Sequence, residues 1–396
     1  MPCEPSIPNV PVGNEHPRLD LPEGIPPLRS FYLYMTTGCN LCCRHCWITP
    51  KFVRGEPSPG DWLDIELIRE AVREAKPMGL NHTKLTGGEP VLHPQFVKIV
   101  DFLTSQDIKL DMETNGTLID VFLARHLKQN TNLWFISVSL DSVKAKKHDD
   151  FRGVQGALKE TLRGIKNLVN AGYHPQIIMS LYRGNVHEIE DMVKLAVRLG
   201  AGSVKFNPVT RSGRGKSMDN KGELLDYEET MELVRFTRSE FQDRSPIPLI
   251  ISTPPALSTI KELLRTKKTG GECHVLSILG LLGTGDMALC GIGRNIPELC
   301  FGKLGKENLR DVWISHPVLV RLRKDLDGDY AGICGDCIHA KRCLTHCVAM
   351  NYIENGNFVS PSLLCAEAEQ RGEFPETRRR SSQEKIVLED DMYVKS

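Results

Sequence analysis

The sequence lacks the features that would place the protein in a membrane or export it. No apolar run approaches the roughly 18 residues of a membrane-spanning helix, and no basic segment followed by an apolar one begins the chain, as in a signal peptide. An excess of either charge is also absent, since 50 basic residues face 50 acidic ones. We therefore expect a cytoplasmic protein with neither nucleic acid nor a membrane as a partner.

Cysteines are absent from residues 47–272, and this gap divides them into two groups. Of the 13 cysteines, four lie within residues 39–46 and eight within residues 273–365. In a reducing compartment these thiols would not form a disulfide framework. Their clustering favours metal or redox chemistry instead.

At 396 residues the chain is long enough for two or three domains. The first 29 residues contain eight prolines and no periodic pattern, which predicts an extended arm. Strand-like and helix-like segments then alternate, as in parallel βα units. We predict an arm at 1–29, a barrel at 30–215, a bridging region at 216–270, a small cysteine-rich domain at 271–372 and a disordered basic tail at 373–396.

Six parallel strands joined by amphipathic helices are predicted in the barrel. The strands are Phe31–Thr36, His82–Leu85, Lys109–Glu113, Leu133–Leu140, Gln176–Leu181 and Ser203–Asn207. Six βα units favour a partial (β/α)6 barrel of the TIM type over a closed eightfold one. The predicted fold class is therefore α/β, with a partial barrel followed by a cysteine-rich C-terminal domain.

The fourth predicted strand alternates between apolar and polar side chains. Its apolar face should meet the helices and carries Trp134, Ile136, Val138 and Leu140. Its polar face should line the barrel interior, together with polar residues of two other strands: Ser137, Ser139, Asp141, Glu113, Asn115, Lys205 and Asn207. A polar interior predicts a site at the C-terminal ends of the strands.

The first cysteine group directly follows the first strand, in the segment Thr37-Gly38-Cys39-Asn40-Leu41-Cys42-Cys43-Arg44-His45-Cys46-Trp47. Cys39, Cys43 and Cys46 have the spacing C-x3-C-x2-C, which suits three irons of a [4Fe–4S] cluster and leaves the fourth iron open. A zinc knuckle is the alternative, although zinc normally has four ligands. Cys42 does not fit the spacing, and we predict that it is not a ligand.

This spacing after the first strand of a βα barrel resembles the signature of radical S-adenosylmethionine (SAM) enzymes, over residues 30–210. The resemblance implies that the amino and carboxylate groups of SAM chelate the open iron. It also implies reductive cleavage of SAM to a 5′-deoxyadenosyl radical, which abstracts hydrogen from a substrate. A reductant such as flavodoxin or ferredoxin would supply the electron.

Two further segments resemble motifs of this family. Gly87, Gly88, Glu89 and Pro90 follow the second strand and resemble its GGEP motif, whose backbone and carboxylate meet the SAM ammonium. Asn115 lies in a segment similar to its TNG motif. The resemblance therefore implies that these residues contact SAM.

Three more SAM contacts follow from the resemblance. Ser139 would meet the ribose or the methionine moiety, and Arg152, in an HD-x2-RG-like segment, would pair with the SAM carboxylate. A surface arginine bonded to Asp149 is the alternative for Arg152. His45 stands where the family usually has an aromatic carbocycle that touches the adenine.

The second cysteine group resembles the SPASM extension of radical SAM enzymes, which holds two auxiliary [4Fe–4S] clusters; a zinc ribbon is the alternative. An eighth cysteine of some relatives is missing from residues 267–272, so one cluster would have an open iron or another ligand, with Cys300 as a candidate. The resemblance implies three clusters in the protein. One auxiliary cluster would take Cys334, Cys337, Cys343 and Cys365, and the other Cys273, Cys290 and Cys347.

Relatives with this extension mostly modify ribosomally made peptides. The resemblance therefore implies a crosslink or another oxidative modification of a peptide side chain, with an auxiliary cluster accepting an electron. Sulfatase-maturing relatives have an aspartate base where this chain has Gly291, which argues against their mechanism. Four residues are catalytic candidates by location alone: Asp141, Glu113, Lys205 and Tyr182.

Other functions stay open at this point. Only about thirty residues precede the first cysteine group, so recognition of a leader peptide would need a separate protein or the arm. A radical SAM oxidoreductase acting on a folded protein or a small molecule is the first alternative. A non-catalytic iron–sulfur electron-transfer protein or zinc protein is the second.

Overall fold

The computed structural model describes residues 19–50, 60–260, 262–263, 273–291 and 296–380. Its strands are β1 (Ser30–Tyr34), β2 (His82–Thr86), β3 (Lys109–Thr114), β4 (Leu133–Ser139), β5 (Gln176–Leu181), β6 (Ser203–Pro208), β7 (Leu249–Ile251), β8 (Ile278–Leu281), β9 (Asp286–Ala288) and β10 (Cys300–Lys303). All belong to one sheet, in the order β10-β9-β8-β1-β2-β3-β4-β5-β6-β7. The predicted α/β class with a parallel sheet is confirmed.

The helices mostly connect these strands. The α-helices are α1 (Ile65–Ala75), α2 (Phe96–Ser105), α3 (Val121–Asn130), α4 (Ala145–Arg152), α5 (Ala157–Asn170), α6 (Ile189–Leu199), α7 (Gly215–Asp219), α8 (Tyr227–Phe236), α9 (Gln242–Arg244), α10 (Leu309–Ser315), α11 (Pro317–Asp327), α12 (Ile333–Asp336), α13 (Ala340–Cys343), α14 (Val348–Asn355) and α15 (Leu363–Gln370). Short 3₁₀ turns include Pro90–Leu92 and Val186–Glu188. No helix within the described residues is long and apolar enough to cross a membrane.

The six predicted strands are present, within two residues of the predicted bounds at each end. Strands β1 to β6 pair in parallel with their neighbours. Parallel pairing brings their C-terminal ends to one edge of the sheet. The segments after β1, β2, β3 and β4, which contain the family-like motifs, therefore meet at that edge.

The helices pack their apolar faces on the outside of the sheet. In α1 the Asp64 side chain accepts a hydrogen bond from the Glu66 backbone N–H and starts the helix. Its buried residues follow a helical period: Ile65, Ile68, Ala71, Val72 and Ala75. Burying each larger aliphatic side chain contributes about 1.5–3 kcal/mol. The sheet is thus closed to water on its helical side.

Strand β4 departs from the predicted alternation at Trp134. Leu110 pairs with Leu133 but the next residue, Asp111, pairs with Phe135, so Trp134 is an extra residue in a β-bulge. The bulge turns the indole outward, and Trp134 is 49% exposed. The prediction that Trp134 meets the helices is therefore wrong, whereas Ile136, Val138 and Leu140 are buried as expected.

The cysteine-rich region contributes strands to the same sheet, which the sequence did not predict. Strand β8 pairs in parallel with β1, from Ser30 opposite Ile278 to Leu33 opposite Leu281. Strands β9 and β10 then continue the sheet in antiparallel fashion. The predicted domain boundaries stay a prediction, but strands β8, β9 and β10 and the barrel strands share one hydrogen-bonded sheet.

Both ends of the described chain pack against the body. Leu28 is fully buried, and the Trp313 indole N–H donates to the Pro26 carbonyl at 2.9 Å. Near the other end Phe374 is buried, and the backbone of Arg378 accepts from Ile338 N at 2.9 Å. The basic triplet Arg378–Arg380 thus lies on the body, while Cys3 and the remainder of the predicted tail fall outside the described residues.

Candidate active site

The loop from Cys39 to Cys46, which we call the cysteine loop, is held by backbone hydrogen bonds from three directions. Glu89 N donates to Gly38 O at 2.9 Å, just before the loop. Cys42 N donates to Arg152 O at 2.9 Å, and Arg214 N donates to Cys46 O at 3.0 Å. The ends of β2, α4 and β6 therefore position the loop together.

Two glycines make this packing possible. A Cβ added to Gly88 would lie 1.7 Å from the Gly38 carbonyl oxygen, and one added to Gly153 would lie 2.5 Å from the Cys42 carbonyl oxygen. Gly153 also has a φ of +75°, which favours glycine. The glycines of the two family-like motifs thus have a packing role at the cysteine loop.

Cys39, Cys43 and Cys46 lie in one small cluster of side chains, with Leu41, Ala157 and Val154 around them. Burial raises the pKa of Cys43 to about 11, although the Arg152 guanidinium opposes this shift. Burial likewise raises the pKa of Cys39, and the Leu41 N–H points at its sulfur from 3.4 Å. The Cys39 and Cys43 thiols therefore keep their protons until a metal displaces them.

Cys42 has a different environment from the other three thiols. Its sulfur accepts a hydrogen bond of 2.9 Å from the Arg214 Nη1. It is absent from the side-chain cluster that contains Cys39, Cys43 and Cys46. That Cys42 does not ligate iron stays a prediction.

Glu89 lies buried beside the cysteine loop. Its Oε1 accepts from the Thr114 hydroxyl at 2.7 Å, and its Oε2 accepts from the Asn115 N–H at 2.8 Å. The Asn115 amide in turn reaches the Asn40 side chain at 2.9 Å and the Cys39 sulfur at 3.9 Å. Burial raises the pKa of Glu89 to about 7, so a cation would favour its ionised form. Pro90 begins the following turn.

Arg152 is buried and faces the interior. Its Nε lies 2.6 Å from Asp141 Oδ2 in an ion pair, and its Nη1 donates to the Cys43 sulfur at 3.5 Å. Asp149 instead accepts hydrogen bonds from the backbone of Gly156 and Leu158. The alternative of a surface arginine bonded to Asp149 is therefore wrong, and Asp141 is the partner of Arg152.

Asp141 and Ser139 stand at the C-terminal end of β4. The second carboxylate oxygen of Asp141 accepts from Ser180 N at 2.8 Å, so this carboxylate is held by two partners. Ser139 pairs with Ile178 across the sheet and is partly exposed. The structure thus brings Ser139, Asp141 and Arg152 to the edge that also carries the cysteine loop.

His45, Phe151 and Tyr182 form a stack of three rings. The His45 and Phe151 ring centres are 4.6 Å apart, and those of Phe151 and Tyr182 are 4.8 Å apart. Burial, with Arg152 and Arg214 nearby, lowers the pKa of His45 well below its ordinary value, so the imidazole is neutral. Tyr182 also packs on Met218, which makes it part of an apolar group rather than of the chamber described next.

Lys84 on β2 and Glu113 on β3 form a charged region inside the barrel, which we call the chamber. The Lys84 ammonium donates to Glu113 at 2.8 Å and lies 5.1 Å from the centre of the Tyr32 ring. Glu113 remains 42% exposed although protein surrounds it, so it faces open space. Burial would raise the pKa of Glu113, but Lys84, and more weakly Lys205, outweigh it and lower that pKa.

The C-terminal cysteines separate into two groups in space. Burial is the main cause of the raised pKa of Cys273, and Cys347 and Cys290 raise it further. Burial also raises the pKa of Cys343, and there the additional contributions come from Cys365, Cys334 and Cys337. Within the described ranges no three His, Cys, Asp or Glu side chains surround a single metal position. The assignment of these cysteines to two auxiliary clusters stays a prediction.

The group of Cys273, Cys290 and Cys347 adjoins the chamber. Tyr32 lies against Lys84. Burial raises the pKa of Tyr32, and both Cys273 and Cys290 raise it further. Cys300, the candidate fourth ligand, begins β10 and packs with Tyr34 and Ala288.

A strained turn directs Cys343 and Cys347 to different groups. The three residues between them, Leu344, Thr345 and His346, have φ values of 49°, 60° and 73°. Left-handed conformations of non-glycine residues cost about 1–3 kcal/mol each and concentrate at functional sites. Asn351 supports the turn by donating to Thr345 O at 2.9 Å. Sequence reasoning missed this support.

Tyr34 fills the space beside Gly291, where an aspartate base is found in sulfatase-maturing relatives. Gly291 N donates to the Tyr34 hydroxyl at 2.8 Å, and a Cβ at Gly291 would lie 2.0 Å from that oxygen. Burial raises the pKa of Tyr34 well above its ordinary value, which keeps the phenol neutral. A neutral phenol, whose oxygen accepts a hydrogen bond, thus lies beside this position.

Comparison with known proteins agrees with this geometry. Residues 33–196 match the model of the Radical SAM superfamily. The chain is 28% identical over 343 residues to the AdoMet-dependent heme synthase of Methanosarcina barkeri, covering 84% of this chain and 94% of that protein. It is 25% identical over 342 residues to the mycofactocin maturase MftC of Mycobacterium tuberculosis, covering 84% of this chain and 81% of that protein.

The fold is also similar to that of a solved structure. Streptococcus suis SuiB bound to the precursor peptide SuiA superposes with a TM-score of 0.68 and 16% identity, covering 86% of this chain and 76% of that one. At this identity the likeness concerns the fold. The match to the superfamily model, the motifs gathered at one sheet edge and the cysteine-rich C-terminal region lead to one conclusion: the chain contains a radical SAM domain.

Proposed function

We propose that the protein is a radical SAM oxidoreductase that modifies a side chain of a ribosomally made peptide. One observation carries the proposal: Lys84 and Glu113 lie on β2 and β3, whose following segments contact the cysteine loop, and Lys84 lies against Tyr32, on which Cys273 and Cys290 act electrostatically. A substrate in this chamber would be within reach of both sites. Such an arrangement suits hydrogen abstraction followed by loss of an electron.

The residues present fit the cofactors. Cys39, Cys43 and Cys46 would hold the [4Fe–4S] cluster whose open iron binds SAM, and two auxiliary clusters would bind to the C-terminal groups. When bound, this cluster and SAM supply a radical able to abstract hydrogen. N–H groups already point at the sulfurs, from Leu41 to Cys39 and from Val275 and Val348 to Cys273, as is common around iron–sulfur clusters.

Chain residues would orient SAM at the sheet edge. Glu89, fixed by Thr114 and Asn115, offers a carboxylate to the SAM ammonium. Arg152, fixed by Asp141, offers a guanidinium to the SAM carboxylate. His45 presents a neutral ring supported by Phe151, which suits stacking on adenine, and Ser139 lies close by for a hydroxyl contact.

The chamber would select and orient the substrate. The Lys84 ammonium and the Glu113 carboxylate, with Asp111 and Lys205 acting on them, offer charged groups of both signs to polar groups of the substrate. Tyr34 offers no base beside Gly291. We therefore infer a crosslink or another oxidative modification that needs no carboxylate base at that position. A separate leader-binding protein, and flavodoxin or ferredoxin as the reductant, complete the proposal.

Relatives support two substrate classes. Likeness to the mycofactocin maturase and to the fold of SuiB with its precursor peptide favours a peptide. Likeness to AdoMet-dependent heme synthase over 94% of that protein favours a tetrapyrrole as the second candidate, whose carboxylates would also suit the two lysines. A folded-protein substrate has no such support.

Mass spectrometry of a co-expressed peptide tests the proposal. The peptide is one encoded by a short reading frame beside the gene, and the control is the Cys43→Ala variant, expected to leave the peptide unmodified. Loss of about two hydrogens in the presence of the native chain supports a crosslink or an oxidation. An unchanged peptide, together with a SAM-dependent change in the absorbance of an added porphyrin, would instead support the second candidate.

A further inference from the structure

Arg214 has a position at the cysteine loop that none of the assigned roles uses. It follows Gly213, whose φ of +54° and absent Cβ let the turn approach Trp47; a Cβ there would lie 2.5 Å from the Trp47 Cα. Arg214 N donates to Cys46 O at 3.0 Å. The backbone of Arg214 is therefore fixed against the end of the loop.

The Arg214 side chain then reaches the sulfurs. Its Nη1 donates to Cys42 Sγ at 2.9 Å. Burial would lower the pKa of Arg214, but Cys46, Cys42 and Cys43 outweigh it and raise that pKa. The guanidinium therefore lies within electrostatic reach of two of the three predicted cluster ligands, Cys46 and Cys43.

Arg214 differs in its charge balance from Arg152, the other arginine whose side chain donates to a cysteine sulfur of the loop. Arg152 is neutralised by Asp141, with 2.6 Å between Nε and Oδ2. Among the described residues no carboxylate is ion-paired with Arg214, and its guanidinium contacts the Cys42 and Cys46 sulfurs instead. A partly buried cation without a carboxylate partner is stabilised by another negative charge nearby.

The geometry points to Arg214 as a positioning residue that supplies the counter-charge of the cysteine-loop cluster. A cluster held by three thiolates becomes more negative on reduction, and a fixed cation stabilises the reduced form more than the oxidised one. Arg214 thus makes the midpoint potential of this cluster less negative. Its bond to Cys42 also keeps that thiol away from the iron. The inference rests on the radical SAM domain and is independent of the substrate.

Redox titration of the holoenzyme followed by electron paramagnetic resonance tests this role. The signal component that changes when SAM is added reports the cysteine-loop cluster rather than the auxiliary ones. We expect a more negative midpoint potential in Arg214→Gln and a nearly native one in Arg214→Lys, which keeps the charge. Arg183→Gln is the matched control, because Arg183 is an exposed arginine whose loss removes the same net charge.

The outcomes separate a charge effect from a packing effect. A native potential in Arg214→Gln overturns the proposal, and so does an equal shift in Arg214→Gln and Arg214→Lys. Arg214→Gln could also lose the iron of this cluster while Arg214→Lys retains it. The iron content would then support the counter-charge role in place of the potential. Loss of that iron from both variants overturns the role of charge.

Discussion

At the scale of single residues, adjacent positions of the cysteine loop have opposite environments. Cys43 lies with Cys39 and Cys46 and receives the Arg152 guanidinium, whereas Cys42 is bonded to Arg214. The spacing C-x3-C-x2-C predicted this difference from the sequence. The partner of Cys42 could not be predicted, because Arg214 is 172 residues away in the chain.

Replacing these two thiols separately tests the ligand set. We expect Cys43→Ala to lose about four irons and SAM cleavage, because only two predicted ligands of that cluster remain. Cys42→Ala should retain the native iron content, since it removes only a contact with Arg214. Iron analysis and SAM cleavage under dithionite measure both effects. Equal iron loss in the two variants would contradict the assignment.

Glu188 is a buried carboxylate outside the cluster sites that links two barrel segments. Its Oε2 accepts from the Ser142 hydroxyl at 2.5 Å, and its Oε1 lies 2.6 Å from the Lys147 ammonium. Burial would raise the pKa of Glu188, but these partners outweigh it and lower that pKa below its ordinary value of 4.5. Ionised Glu188 therefore stabilises the folded state.

The sign of its pH dependence follows from this lowered pKa. The stabilising contribution is complete above about pH 4.5 and is lost as the pH falls through the lower folded-state pKa. Glu188→Gln should cost about 1–3 kcal/mol at pH 7, because it weakens hydrogen bonds to a charged group. Thermal melts of both proteins between pH 7 and pH 4 check this. A gap in melting temperature that widens towards pH 4 would show the opposite sign.

At the scale of elements, the turn after β2 packs against the residue that precedes the cysteine loop. Glu89 N donates a hydrogen bond to the Gly38 carbonyl, and Gly88, which has no Cβ, packs against the same carbonyl. The sequence identified Gly88 through its motif, with a contact to SAM as the expected reason. Tight packing between two loops far apart in the chain is a second reason, and only the folded structure reveals it.

Gly88→Ala should therefore disturb the cysteine loop itself. The added Cβ would lie 1.7 Å from the Gly38 oxygen, so the loop backbone must shift. We expect loss of about four irons with the auxiliary clusters intact. Iron content and the SAM-sensitive resonance signal measure this. Gly328→Ala is the control, because its Cβ would come no closer than 3.3 Å to any atom; native iron in Gly88→Ala would refute the packing role.

At the scale of the whole molecule, the cysteine-rich region and the barrel depend on each other. Strand β8 covers the free edge of β1, and Leu309 N donates to the Glu74 carboxylate at 2.7 Å. A chain that ends at residue 270 loses β8 and leaves the β1 edge unpaired. Exposed edge strands promote aggregation.

We therefore expect the chain 1–270 to be insoluble, although it contains the complete matched region 33–196. A chain that ends at residue 380 keeps every contact described above and should stay soluble. Soluble yield and size-exclusion chromatography of the two truncations compare them directly. A soluble, monomeric chain 1–270 would mean that β8 is dispensable for the barrel.

The sequence by itself determined the six parallel strands and the motifs that resemble those of radical SAM enzymes, because periodicity and short motifs are local and depend on neighbouring residues. The tertiary structure determined the contacts that local sequence patterns could not predict. It turned Trp134 outward through a bulge, buried Arg152 against Asp141, joined β8 to β1 and placed Arg214 on Cys42. Each of these depends on residues distant in the chain, whose meeting is fixed by the packing of the whole sheet.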